Sequence, residues 1–136
     1  AVYGGEMSAH HYFRDFAYCD SGMIPWLLTI ALLSETGQSL STLVENMIAK
    51  FPCSGEINFK VADTQTTVQK IFDHYADQNQ LVDRTDGVSL DFGAWRLNVR
   101  ASNTEPLLRL NIESRADKNP KPMQNYVDEL TDLIQG

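Results

Sequence analysis

Three successive runs between residues 88 and 112 alternate apolar and polar side chains with a period of two. Val88, Leu90 and Phe92 form the first apolar set, Trp95, Leu97 and Val99 the second, and Leu108, Leu110 and Ile112 the third. Successive side chains on a strand point to opposite faces, so each run must bury one face and wet the other. A sheet with one wet face is antiparallel, with its other face covered by helices. Glu56 to Val61 alternates in the same way and adds a fourth strand, and Asp86-Gly87 is a hairpin signal ahead of the first run.

Two helices are available to cover that sheet. Asp63 or Thr64 caps one that carries Val68, Ile71, Phe72 and Tyr75 on a single face. Pro122 opens the other, with Met123, Tyr126, Val127, Leu130, Leu133 and Ile134 aligned. Residues 53–136 are therefore expected to form an α+β domain with two helices on one face of the sheet.

The chain before residue 52 has a different character. Tyr3 to Tyr18 is rich in glycine, histidine and aromatics and reads as a loop followed by a strand. Ser21 to Ser34 is apolar on nearly all sides, as expected of a helix buried on several faces, and Gly37 ends it. A second helix, Ser39 to Phe51, carries Leu40, Leu43, Val44, Met47, Ile48 and Phe51 on one stripe, and Pro52 stops it. The boundary between two domains, 1–52 and 53–136, is expected in the segment from Pro52 to Gly55.

Composition narrows the function. A net charge of −7 on 136 residues argues against a general nucleic-acid binder, which needs clustered Lys and Arg. The most apolar run, Met23 to Leu33, falls short of the roughly 20 residues that span a bilayer, and without a charged n-region and a small-residue cleavage site before it the run is not expected to be a signal peptide. Cys19 and Cys53 form neither a zinc spacing nor a disulfide framework, so a cytoplasmic protein is expected. The first residues, Ala1-Val2-Tyr3-Gly4-Gly5-Glu6, read as a strand-to-loop junction without an initiator methionine, as in a piece of a longer protein.

The loop Arg100-Ala101-Ser102-Asn103-Thr104-Glu105-Pro106 carries the clearest chemistry. Two hydroxyls, an amide and a row of backbone N–H groups can converge there, and Arg100 adds a planar fork that matches phosphate oxygens. Arg96, Asn98 and Arg100 alternate outward on one strand and Arg109 and Asn111 on the next, so positive charge is expected beside the loop. The residues alone also fit a plain polar hairpin turn.

Arg100-x-Ser102-Asn103-Thr104-Glu105-Pro106 resembles the phosphate-binding loop of the α-D-phosphohexomutase superfamily, which lies in that family's fourth domain. Gly5-Glu6-Met7-Ser8-Ala9-His10 resembles its sugar-specificity loop from the third domain, usually written with glycine where Ala9 stands. Asp20-Ser21-Gly22 fits as well, and Ala9 and His11 with the flanking Tyr12-Phe13-Arg14-Asp15 make bacterial phosphomannomutases the nearest likeness. The resemblance covers essentially the whole chain. It implies a remnant of an α/β domain over 1–52, then a TATA-box-binding-protein-like domain over 53–136 with about four antiparallel strands and two helices on one face.

By that resemblance Glu6 and Ser8 bind sugar hydroxyls and His10 helps hold or protonate the substrate, while Arg100, Ser102, Asn103, Thr104 and Arg109 grip the phosphate that is not being transferred. Read without it, Glu6 and Ser8 are ordinary capping residues. Metal binding by His10 and His11 lacks a carboxylate or cysteine at ligand spacing. The family's Ser-His phosphoserine loop and Asp-Gly-Asp-x-Asp magnesium loop are not found in the sequence. Mg2+ and the nucleophile would then belong to missing N-terminal domains, and this chain alone is expected to be inactive. The implied partners are a phosphosugar and those domains, with neither nucleic acid nor membrane. Without them the helix over residues 21–34 is expected to be partly exposed, favouring self-association or disorder of the first ~45 residues. Phosphoglucomutase and phosphoglucosamine mutase remain open within the family. A free-standing, non-catalytic anion-binding module is the alternative of another class.

Overall fold

A computed structural model describes residues 1–6, 8–78, 81–102, 105–118 and 121–136. Its internal contacts separate Ala1–Glu45 from Asn46–Gly136, and each unit is treated on its own.

In the first unit, β1 (Tyr3–Gly5) and β2 (His11–Phe13) pair as an antiparallel hairpin with Gly5 opposite His11. The turn between them is closed by the Glu6 amide donating to the His10 carbonyl at 3.0 Å and the Ala9 amide donating to the Glu6 carbonyl at 3.1 Å. Ala9 has φ +64°, the left-handed region in which a Cβ is strained by about 1 kcal/mol. The local geometry thus accounts for the glycine usual at this place in the related motif. A 3₁₀ turn (Arg14–Phe16) follows, then α1 (Met23–Thr36), and α2 (Leu40–Lys50) runs through the boundary between the two units. Gly37, at φ +63°, ends α1 by donating its amide to the Leu33 carbonyl. Along α1 the side chains of Met23, Trp26, Leu27, Leu28, Ile30 and Leu32 are all exposed.

The second unit is the α+β domain expected from the alternation. Its strands are β3 (Cys53–Phe59), β4 (Leu81–Asp83), β5 (Val88–Asp91), β6 (Trp95–Ala101) and β7 (Leu108–Ser114). They form one antiparallel sheet in the order β3-β7-β6-β5-β4. The sheet has one strand more than the four read from the sequence. β4 is three residues long, lies at the edge and is exposed throughout, so it carries no alternation to detect. At the start of β3 a bulge shifts the register between Cys53 and Glu56. There the Ser54 hydroxyl accepts the Ile112 amide at 2.9 Å, satisfying a donor on β7 beside the bulge.

One face of the sheet is the core. Phe59, Val88, Leu90, Leu97, Val99, Leu108, Leu110 and Ile112 are buried there beneath α3 (Thr64–His74) and α4 (Met123–Gln135). The helices contribute Ile71, Tyr126, Leu130 and Ile134. Asp63 caps α3 by accepting the Gln65 and Thr66 amides, which with the Thr66 hydroxyl hold its carboxyl below the usual range. Phe92 falls just beyond β5 and stacks on Trp95 at 4.1 Å, and Trp95 stacks on Tyr126 at 4.4 Å. Among the described residues no helix is long and apolar enough to cross a membrane.

Gly87 sits where the turn after β4 meets β6. Its φ is +71°, and a Cβ there would collide with the Val99 carbonyl oxygen and with the Arg100 Cβ. Both the backbone angle and the space require glycine. Replacing Gly87 with Ala is expected to destabilise the domain by about 3 kcal/mol, combining left-handed strain with overpacking. Urea denaturation of the two proteins measures this, and a loss below about 1 kcal/mol would contradict the close approach.

Candidate functional site

The polar face of the sheet is a grid built by strand register. Arg96 pairs across with Glu113, Asn98 with Asn111, and Arg100 with Arg109. On the far side of β7, Glu56 stands opposite Asn111 and Asn58 opposite Arg109. Two arginines therefore face each other on adjacent strands, an arrangement that is repulsive unless an anion lies between.

Glu56 supplies that anion. Its carboxylate lies 3.7 Å from the Arg100 guanidinium and 3.6 Å from Arg109 Nε. Asp86 approaches Arg100 Nε at 3.6 Å, and Glu105 approaches Arg109 at 4.0 Å. None of these separations is short enough for a hydrogen bond. Buried Arg109 Nε has no hydrogen-bond partner among the described residues. The guanidiniums are neutralised by ion pairs longer than hydrogen bonds.

The expected excess of positive charge is not what surrounds the loop. Arg96, Arg100 and Arg109 are matched by Glu56, Asp86, Glu105 and Glu113. Glu56 and Asp86 come from outside these two strands, while Glu105 lies in the loop itself and Glu113 on β7, so a count of arginines alone along β6 and β7 missed them. Glu56 was visible in the sequence only as a polar position in an alternating strand. Of the loop residues, Ser102 donates its amide to the Leu107 carbonyl at 2.8 Å, and its hydroxyl accepts the Glu105 amide at 3.3 Å. Asn103 and Thr104 lie outside the described residues.

The hairpin of the first unit gathers a second set. The Glu6 carboxylate accepts from the Ser8 hydroxyl at 3.2 Å and from the Tyr12 hydroxyl at 2.8 Å. Glu6 and Ser8 are thus neighbours, and Tyr12 joins them by hairpin pairing opposite Gly4. His10 is held apart from this pair: its Nδ1 bonds Asp20 at 2.6 Å. The other Asp20 oxygen accepts the His11 amide at 2.8 Å, in register with the bridge between Tyr12 and Asp20. A carboxylate can only accept, so Nδ1 carries the proton and Nε2 is left as the chemically available nitrogen. The hydrogen bond and charge of Asp20 raise the His10 pKa, and the His10 and backbone bonds lower that of Asp20. Among the described residues no three His, Cys, Asp or Glu side chains converge as a metal site.

Comparison with known proteins now decides the kinship. The description "Phosphoglucomutase/phosphomannomutase, C-terminal domain" matches residues 56–130, and "alpha/beta/alpha domain III" of the same family matches residues 1–51. The chain belongs to the phosphoglucomutase/phosphomannomutase family. It is 59% identical over 136 residues to a protein named "Phosphohexose mutases" from Xanthomonas campestris pv. campestris, covering all of this chain and 30% of that one. It is 60% identical over 117 residues to a phosphomannomutase of Salmonella montevideo (86% of this chain, 26% of that one). It is 55% identical over 136 residues to one of Vibrio cholerae (99% and 29%). The chain spans under a third of the length of these relatives. A crystal structure of a family protein from Burkholderia thailandensis shares the fold with TM-score 0.68 at 20% identity, over 99% of this chain and 28% of that one.

Within this family member the pair of His10 and Asp20 has a defined pH window. The raised imidazole contributes to hairpin stability in full below its unfolded pKa, and this is lost as pH rises through the folded value. The lowered carboxyl contributes above its unfolded pKa, and this is lost as pH falls through the folded one. Both terms operate together only between the two titrations, in weak acid. Asp20→Asn is expected to bring the His10 titration down toward its ordinary value, as followed by NMR of the ring protons. A titration unmoved by the substitution would mean that the pair is not formed.

Proposed function

We propose that this chain is the sugar- and phosphate-holding part of a phosphomannomutase. The enzyme would interconvert mannose 6-phosphate and mannose 1-phosphate through a phosphoserine and a bisphosphate intermediate, and supply GDP-mannose for surface polysaccharide in the cytoplasm. Residues 1–52 would be the end of a sugar-binding domain and 53–136 a phosphate-binding one. The observation that carries the reading is the in-register pair Arg100 and Arg109. Its guanidiniums are charged, mostly buried and loosely contacted, beside a loop rich in hydroxyl and amide groups.

The chemistry follows from the residues. A phosphate monoester presents several oxygens to two planar forks and can form the short bonds that the present carboxylates do not. Ser102, Asn103 and Thr104 would close around it. Glu6 and Ser8, already neighbours, would exchange their mutual bond for ring hydroxyls of the sugar. His10, with Nε2 available and Nδ1 tied to Asp20, would hold or move a proton at the reacting hydroxyl. A phosphate grip of this kind is indifferent to which end of the sugar carries the phosphate, as a reorienting bisphosphate demands.

Mg2+ and the phosphoryl-carrying serine would sit in the portion of the relatives that this chain does not span. When bound, the metal supplies charge neutralisation during phosphoryl transfer. The described residues of this chain do not fit such a site. The same missing portion is the proposed cover for the exposed apolar face of α1. By itself the chain would be inactive and prone to self-association through that face.

In an enzyme of the relatives' full length, Arg100→Ala is expected to lower kcat/KM for mannose 1-phosphate by at least about tenfold, the loss of one charge-assisted contact. Thermal stability should be nearly unchanged, because Arg100 lies on the polar face of the sheet. Unchanged kinetics would remove the role given to this residue.

A further inference from the structure

The carboxylate between the two arginines has no place in the scheme above, and its geometry gives it one. Glu56 lies on β3, one row along the polar face from the pair and across β7 from Arg100. It nevertheless spans both guanidiniums, one oxygen toward each. It is the least exposed carboxylate of the cluster, at 19% against 72% for Asp86 and 59% for Glu105. Two oxygens divided between two forks cannot make a bidentate pair with either, and among the described residues Arg109 Nε has no acceptor within hydrogen-bond distance.

We infer that Glu56 is a resident counter-anion of the phosphate site, seated between Arg100 and Arg109 when no ligand is bound and competing with the incoming phosphate for both. The inference rests on the proposed reading of that pair as the phosphate grip. Without an anion the two arginines would repel each other across the β6–β7 ladder, so Glu56 lets the empty site exist. Its imperfect contacts leave the guanidinium donors to be satisfied by the ligand. With Glu56 in place the pair carries one net positive charge, and Asp86 and Glu105 bring the cluster to minus one. A phosphate dianion is therefore held by geometry rather than by excess charge, and it can leave as readily as it arrives. That reversibility suits a ligand that must let go, turn around and be gripped again.

The test is a titration of the 136-residue chain with inorganic phosphate, followed through the backbone and arginine Nε–Hε signals of a proton–nitrogen NMR spectrum. Glu56→Gln keeps the shape and removes the charge, and should tighten phosphate binding by about tenfold, the scale of one nearby charge at a partly exposed site. Glu113→Gln changes the net charge by the same amount. It stands four residues from Arg109 along β7, roughly 13 Å at the strand rise, and pairs with Arg96 instead. That variant should leave the affinity within about twofold, the screened effect of a distant charge. Glu56→Asp, which keeps the charge but draws it back by one methylene, should fall between wild type and Glu56→Gln. It covers the case in which the amide variant does not fold.

Phosphate shifting Arg100 and Arg109 in the wild-type chain, with Glu56→Gln binding no tighter, overturns the counter-anion and leaves the grip standing. Tightening by Glu113→Gln as large as that by Glu56→Gln also overturns it, because overall charge would then suffice. Phosphate that moves neither arginine in any variant overturns the grip, and the role of Glu56 with it.

Discussion

Strands with a period of two must commit both of their faces, and the β3–β7–β6 ladder is where this chain does so. Leu97, Val99, Leu108, Leu110 and Ile112 turn inward to a core that excludes water almost completely. The residues between them, Arg96, Asn98, Arg100, Arg109 and Asn111, have no choice but to share the opposite face. Register then decides who meets whom. Slipping β6 against β7 by one residue would break the core and also separate Arg100 from Arg109. The stability of the fold and the geometry of the candidate site are thus one constraint seen from two sides.

The same ladder explains which features could be read from the sequence. Four strands and both covering helices announce themselves by periodicity, because each buries a continuous apolar stripe. β4 does not, since an edge strand of three exposed residues has no buried face to encode. The apolar character of α1 is equally plain in the sequence, and in this chain those side chains remain exposed.

Site residues were legible where neighbours in sequence are neighbours in space. Glu6 and Ser8 belong to one short turn, and their contact follows from it. Arg100 and Arg109 flank a single loop. The carboxylates that set the charge of that region were not counted with the arginines: Glu56 lies on another strand, Asp86 stands in the hairpin turn and Glu105 in the loop itself. A sum of charges along two strands gave the wrong local sign for this reason. The tie from His10 to Asp20 was hidden likewise, since ten residues and a β-bridge separate its members.

The central claim is that the polar face around Arg100 and Arg109 recognises the phosphate of a phosphosugar. The most direct measurement is a proton–nitrogen NMR titration of this chain with mannose 1-phosphate, set beside unphosphorylated mannose. The account predicts shifts concentrated at residues 100–105 and 109 with the phosphorylated sugar and none there with mannose. Equal shifts with both sugars, or shifts that avoid the arginine pair, would contradict it.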